Sequence, residues 1–161
     1  MVRSIIPLIF SLVTVMCYQN CAGPFDVQHI AAKPSDYKPT DPIFHPFIQE
    51  FESYYKKDTS HISISFDDKM DDKYAGICYR FVVGTMISNA YIRINKTYWP
   101  TMSLLQQKNL IIHELGHCIL NRDHVPSDAV HACPSSFMHY QIMDDVCLQQ
   151  HYDEYIKEMF P

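Results

Sequence analysis

Ser103-Leu104-Leu105-Gln106-Gln107-Lys108-Asn109-Leu110-Ile111-Ile112-His113-Glu114-Leu115-Gly116-His117-Cys118-Ile119-Leu120-Asn121 decides the fold of this 161-residue chain. Ser103 can accept from the first turn of a helix, and Gln106 three residues on completes a capping box. Leu104, Leu105, Leu110, Ile111, Ile112, Leu115, Ile119 and Leu120 line much of the circumference, which predicts a central, well-buried helix. Asn121 is the residue type, after Gly, that best tolerates the left-handed conformation needed to end a helix abruptly. Within this helix lies His113-Glu114-Leu115-Gly116-His117. Residues four apart share one face, so both imidazoles can point at one ion. Glu114, one step round, can hold and deprotonate a water there rather than ligate. Two stacked histidines and a carboxylate are costly to bury without a metal or a charge partner. That setting favours a metal site over a satisfied polar cluster in the core.

Outward from this helix, the body reads as α+β. Asp41-Pro42 is a helix start, and Ile43, Phe47, Ile48, Phe51, Tyr54 and Tyr55 recur at helical spacing to about Lys57. His61 to Phe66 alternates as a half-buried strand, and Ile77 to Val83 and Tyr91 to Ile94 predict two more. The acidic stretch Asp67 to Lys73 reads as a hairpin loop in preference to a calcium site. Asn95-Lys96-Thr97 is a glycosylation acceptor if the chain passes through a eukaryotic secretory pathway. Asp144 or Asp145 caps a closing helix whose stripe runs through Val146, Leu148, Tyr152, Tyr155, Ile156, Met159 and Phe160.

Residues 1–21 read as a signal peptide. Arg3 precedes a 12-residue apolar run, Ile5 to Met16, too short to span a bilayer. Ordinary cleavage near Cys17 or Ala22 competes with a lipoprotein cut that leaves Cys17 or Cys21 lipidated. The chain is therefore expected to be secreted, periplasmic or lipid-anchored. Residues 22–40, with three prolines, read as an N-terminal arm, and 41–161 as one domain. Cys78, Cys118, Cys133 and Cys147 remain in the body, where an oxidising compartment allows three pairings. A net charge of -5 without a basic run argues against a nucleic-acid or anionic-membrane surface. The only membrane contact expected is a lipid anchor, and the chain is expected to be a monomer.

A catalytic zinc takes three protein ligands and leaves a fourth position open. Beyond the helix runs Asn121-Arg122-Asp123-His124. The chain here resembles the metzincin metalloproteases, whose extended motif has a Gly seven residues after the first His and a third His three residues after that Gly. Those positions hold Leu120 and Asp123; shifted by one residue, Asn121 and His124 restore the spacing. His124 is favoured as third ligand, Asp123 is the alternative, and His131 is a weaker candidate. Ser136-Phe137-Met138-His139-Tyr140 is similar to the Met-turn of the astacin branch.

The resemblance covers about Asp41 to Pro161. It implies a metzincin-like domain, with a small mixed sheet packed on the active-site helix and a C-terminal helix after the Met-turn. It also implies zinc (Zn2+) on His113, His117 and His124, Glu114 as general base, Met138 as the floor of the Met-turn and Tyr140 as a hydroxyl on the zinc side. The activity implied is that of a zinc metalloendopeptidase acting on a protein or peptide substrate. Chain order suggests Tyr91 to Asn95 as the cleft rim, binding substrate by strand addition. Metzincin zymogens can block zinc with an N-terminal Cys or Asp, a role open to Cys21 or Asp26. Competing readings are a gluzincin-type peptidase with Glu154 or Glu158 as third ligand, and a non-catalytic exported zinc-binding or adhesion module.

Overall fold

The computed structural model describes residues 25–28, 37–83, 86–126 and 133–161. Residues 1–21, expected to be a signal peptide, and His131 lie outside them. The elements are β1 (Phe25–Gln28), α1 (His45–Tyr55), β2 (Ser63–Asp67), β3 (Gly76–Val83), β4 (Met86–Asn95), α2 (Leu104–Leu120) and α3 (Asp145–Met159). This is an α+β arrangement: a mixed sheet in the order β1-β3-β4-β2, with α2 against one face. No helix among the described residues is long and apolar enough to cross a membrane.

β3 and β4 form the antiparallel hairpin, and β1 and β2 run parallel to β3 and β4 respectively. The acidic stretch is therefore not a hairpin loop, because β2 and β3 sit on opposite sides of β4. Asp67 and Asp71 instead accept the amides of Lys69 and Lys73, 2.9 and 3.0 Å away. Part of the arm, Phe25–Gln28, is a strand of the sheet, with Asp26 opposite Ile77. The cleft-rim role of Tyr91 to Asn95 does not survive. Tyr91 is paired to Tyr79 on one side and Ser63 on the other, so this half of β4 has no edge to offer an added strand. Asn95 is 2% exposed and both ends of its amide are bonded, to the Tyr74 carbonyl and the Thr97 amide, so the folded chain buries the acceptor amide of the sequon.

β2 is an edge strand, and edges need covering. Thr40 and Asp41 cover this one. Thr40 Oγ1 accepts from Ile64 N at 3.2 Å, Asp41 N donates to Ile64 O at 2.9 Å, and Asp41 Oδ2 accepts from Phe66 N at 3.0 Å. The carboxylate expected to cap the first helix is thus spent on the sheet. A 3-10 turn, Pro42–Phe44, leads into α1, which stops at Lys56 in the left-handed region (φ 61°). Ser103 and Gln106 form the capping box of α2 as the sequence indicates, and Asp144 Oδ1 accepts from Cys147 N at the start of α3.

Side chains alternate across a strand. Gly76, Cys78 and Arg80 of β3, with Ala90, Ile92 and Ile94 opposite them on β4, turn towards α2. Every α2 residue from Asn109 to Cys118 is buried there. The other face of the sheet holds Tyr79 stacked on Tyr91 (centroids 4.8 Å apart) and the Arg93 guanidinium over the Tyr91 ring. Arg93 also donates to Ser65 Oγ at 2.7 Å. Ser63 and Ser65 are consequently buried rather than solvated, which the alternation of the strand did not indicate.

Two disulfides fix the helices. Cys78–Cys118 joins β3 to α2, and Cys133–Cys147 ties the chain before the Ser136 turn to α3. The sequence separations are 40 and 14. Chain entropy then gives about 4 kcal/mol for the first and about 3 kcal/mol for the second. Replacing Cys78 and Cys118 by Ala should lower unfolding stability in urea more than the same change at Cys133 and Cys147. The reverse ranking means that native-state contacts, not loop length, set the order.

Candidate metal centre

Asn121 adopts the left-handed conformation (φ 54°, ψ 36°) and ends α2. The chain reverses there, and Arg122 N returns to the Gly116 carbonyl at 3.2 Å. The reversal carries His124 back onto the helix face that bears His113 and His117. Their three Nε2 atoms converge, 2.9 Å between His113 and His117, 3.1 Å between His117 and His124, and 3.2 Å between His113 and His124. Three nitrogens bound to one tetrahedral ion at about 2.0–2.1 Å stand roughly 3.3 Å apart. The observed triangle is close to that spacing.

Outer partners set the tautomers. His113 Nδ1 donates to the Phe137 carbonyl at 2.7 Å, and His117 Nδ1 to the Arg122 carbonyl at 2.6 Å. A proton on each Nδ1 leaves each Nε2 with a lone pair, and the lone pairs of His113 and His117 face each other. Neutral imidazoles with lone pairs converging in a buried place repel unless a cation lies among them, so the donor set fits a metal ion. Burial pushes the His113 imidazole well below its ordinary pKa, and His117 and His124 beside it push further. Burial likewise lowers His117 to about 3.

Those shifts have a sign for stability. The unfolded chain protonates these histidines near 6.5, whereas the folded chain resists protonation until far lower pH. Below about pH 6.5 the unfolded state binds more protons, so the metal-free fold loses stability as pH falls from there towards about 3. Urea midpoints of chelated protein at a series of pH values should decline across that window. A flat profile means that the two rings are solvated.

Glu114 is fully buried, beside the start of β3. A Cβ on Gly76 would stand 2.8 Å from Glu114 Oε1 and 2.9 Å from Leu110 Cδ1, so the strand passes close only because residue 76 is glycine. Met138 is also fully buried, and its Sδ would lie 2.6 Å from a Cβ on Gly116. Met138 therefore packs on α2 between the levels of His113 and His117. Its turn is closed by His139 N to Ser136 O at 3.1 Å and joined to the His124 loop by Val125 N to Met138 O at 2.9 Å.

Asp123 is exposed and outside the converging group, which among the described residues consists of His113, His117 and His124. Glu154 pairs with His151 at 2.9 Å, and Glu158 is held by Arg122 and Ser136, so neither reaches the histidines. Tyr140 is half-buried with its ring against His139, centroids 4.6 Å apart, and its hydroxyl forms no hydrogen bond among the described residues. One contributor was not anticipated. Arg80, 2% exposed, donates to the His117 carbonyl at 3.1 Å and to Asn121 Oδ1, meeting the last carbonyls of α2 with a cation. A lone Arg in an otherwise apolar strand was the available signal.

No protein-family model, curated protein or solved structure matches this chain. Three imidazoles, two of them held from behind by backbone carbonyls, form a site able to hold a metal ion, with a glutamate on the same helix.

Proposed function

We propose that this chain is a zinc-dependent metallopeptidase of the metzincin type, exported from the cell and acting on a protein or peptide. The observation that carries the reading is the convergence of His113, His117 and His124 Nε2 on one point, with Glu114 one residue from the first of them. The buried Met138 turn against Gly116 agrees with it, and two disulfides are compatible with an extracellular setting.

Zinc held by the three histidines would supply Lewis-acid chemistry, acidifying water towards pKa ~7 and polarising a carbonyl. Glu114 takes the proton of the attacking water and delivers it to the leaving amine. Its burial shields that transfer from bulk solvent. Phe137 and Arg122 hold the two helical imidazoles in the tautomer that presents Nε2. Tyr140 donates to the developing oxyanion after its ring leaves His139, a contact worth roughly 3 kcal/mol.

A second reading, a structural metal in a non-catalytic module, draws on the same burial, since both oxygens of Glu114 lie beneath the surface. One experiment separates the two. Protein purified without chelator should carry one zinc per chain and cleave an unfolded protein substrate, losing activity with chelator and regaining it with added zinc. Stoichiometric zinc without cleavage favours the structural module, and absence of zinc uptake removes both.

A further inference from the structure

The two carbonyls that fix the histidine tautomers belong to separate loops, residue 122 after α2 and residue 137 before α3. One side chain holds both loops. Arg122 Nη2 is ion-paired with Glu158 Oε1, and Arg122 Nη1 donates to the Glu158 carbonyl at 2.9 Å. The other carboxylate oxygen, Oε2, accepts from Ser136 Oγ at 2.7 Å, and that hydroxyl accepts from Met138 N at 3.0 Å. Glu158 stands in the last turn of α3, far in sequence from the zinc helix. We infer that Glu158 is a positioning residue of the metal centre: its two oxygens set the separation of the His117-holding and His113-holding loops, and so the aim of both Nε2 atoms. This rests on the reading of the three histidines as metal ligands.

The charge itself is a small part of the effect. The Arg122 and Glu158 side chains are 24% and 33% exposed, where solvent screens an ion pair to little net worth. What matters is geometric. A carboxylate with both oxygens engaged ties two loops to one point on a helix, and outer partners of this kind typically change metal affinity by about 10- to 100-fold when removed. Glu50 offers a matched comparison. It too joins helices, accepting from Tyr152 Oη at 2.7 Å and pairing with Lys108 at 3.0 Å, but reaches no ligand or ligand-holding loop.

The test uses cobalt(II) as the probe on the intact chain, comparing the unaltered protein with Glu158→Gln, Ser136→Ala and Glu50→Gln. Glu158→Gln should weaken cobalt binding about 10- to 100-fold and alter the visible d–d bands that report coordination geometry. Ser136→Ala, which deletes only the hydroxyl that joins Glu158 to the turn, should shift the same bands with a several-fold loss. Glu50→Gln should lower the melting temperature while leaving bands and affinity unchanged. Should the Glu158 and Ser136 variants match the unaltered protein in both bands and affinity, the positioning role is overturned. Should the unaltered chain itself fail to bind cobalt, it is the metal reading that fails.

Discussion

Glu114→Gln is expected to retain a full complement of zinc and to lose peptide hydrolysis by about 10²- to 10⁴-fold, the range a positioned general base supplies. The substitution removes the proton acceptor and keeps the shape, and it should leave the ring positions alone because Glu114 lies outside the histidine group. It also replaces a buried ionisable group with a neutral one, so the melting temperature should hold or rise. Metal analysis alongside turnover on an unfolded protein decides the matter. Hydrolysis at an undiminished rate would take Glu114 out of the chemistry; loss of both zinc and fold would mean that the carboxylate is structural. Gly76→Ala probes the same oxygen from the strand side. Its Cβ must displace Glu114 Oε1 or Leu110, so turnover should fall while zinc is kept.

The second large effect concerns the third ligand. His124→Ala should weaken zinc binding by about 100-fold, since apparent zinc affinities of 10–16 kcal/mol shared among four ligands come to roughly 3 kcal/mol each. Asp123→Ala should leave affinity within a few-fold of its starting value. The contrast follows from placement: His124 Nε2 lies 3.1 and 3.2 Å from its two partners, whereas Asp123 is exposed and apart from them. Competition with a chromophoric chelator measures both variants directly. If Asp123→Ala instead releases the ion, the loop rearranges on binding and the ligand set changes with it.

What was legible in the sequence is what short-range chemistry decides. The cap at Ser103, the stop at Asn121, the cap at Asp144 and the buried character of the central helix all depend on residues within a turn or two of each other, and the fold carries all four. The return of His124 to the helix was legible for the same reason, because a left-handed Asn fixes the direction of the chain for the next few residues. Strand order was not. It depends on which distant segments share hydrogen bonds, and nothing local distinguishes a β4 paired on both sides from one left at an edge. The same blindness concealed the use of Asp41 by β2, the strand within the arm and the union of Arg80 with the end of α2. Each is a pairing whose partner lies some 25 or more residues away. Glu158 could be seen as a carboxylate near the end of a helix, but its two partners only in three dimensions.

All three imidazoles come from a stretch of twelve residues, His113 to His124, and so does the Arg122 carbonyl behind His117, whereas the Phe137 carbonyl and Arg80 come from afar. A denatured chain carries the imidazoles along together and can still clasp an ion loosely. Since only preferential affinity for the native form adds stability, chelation should depress the melting point by less than the dissociation constant of the folded protein alone indicates. Cargo can equally board before the sheet is complete, with later docking of the Phe137 carbonyl tightening the grip.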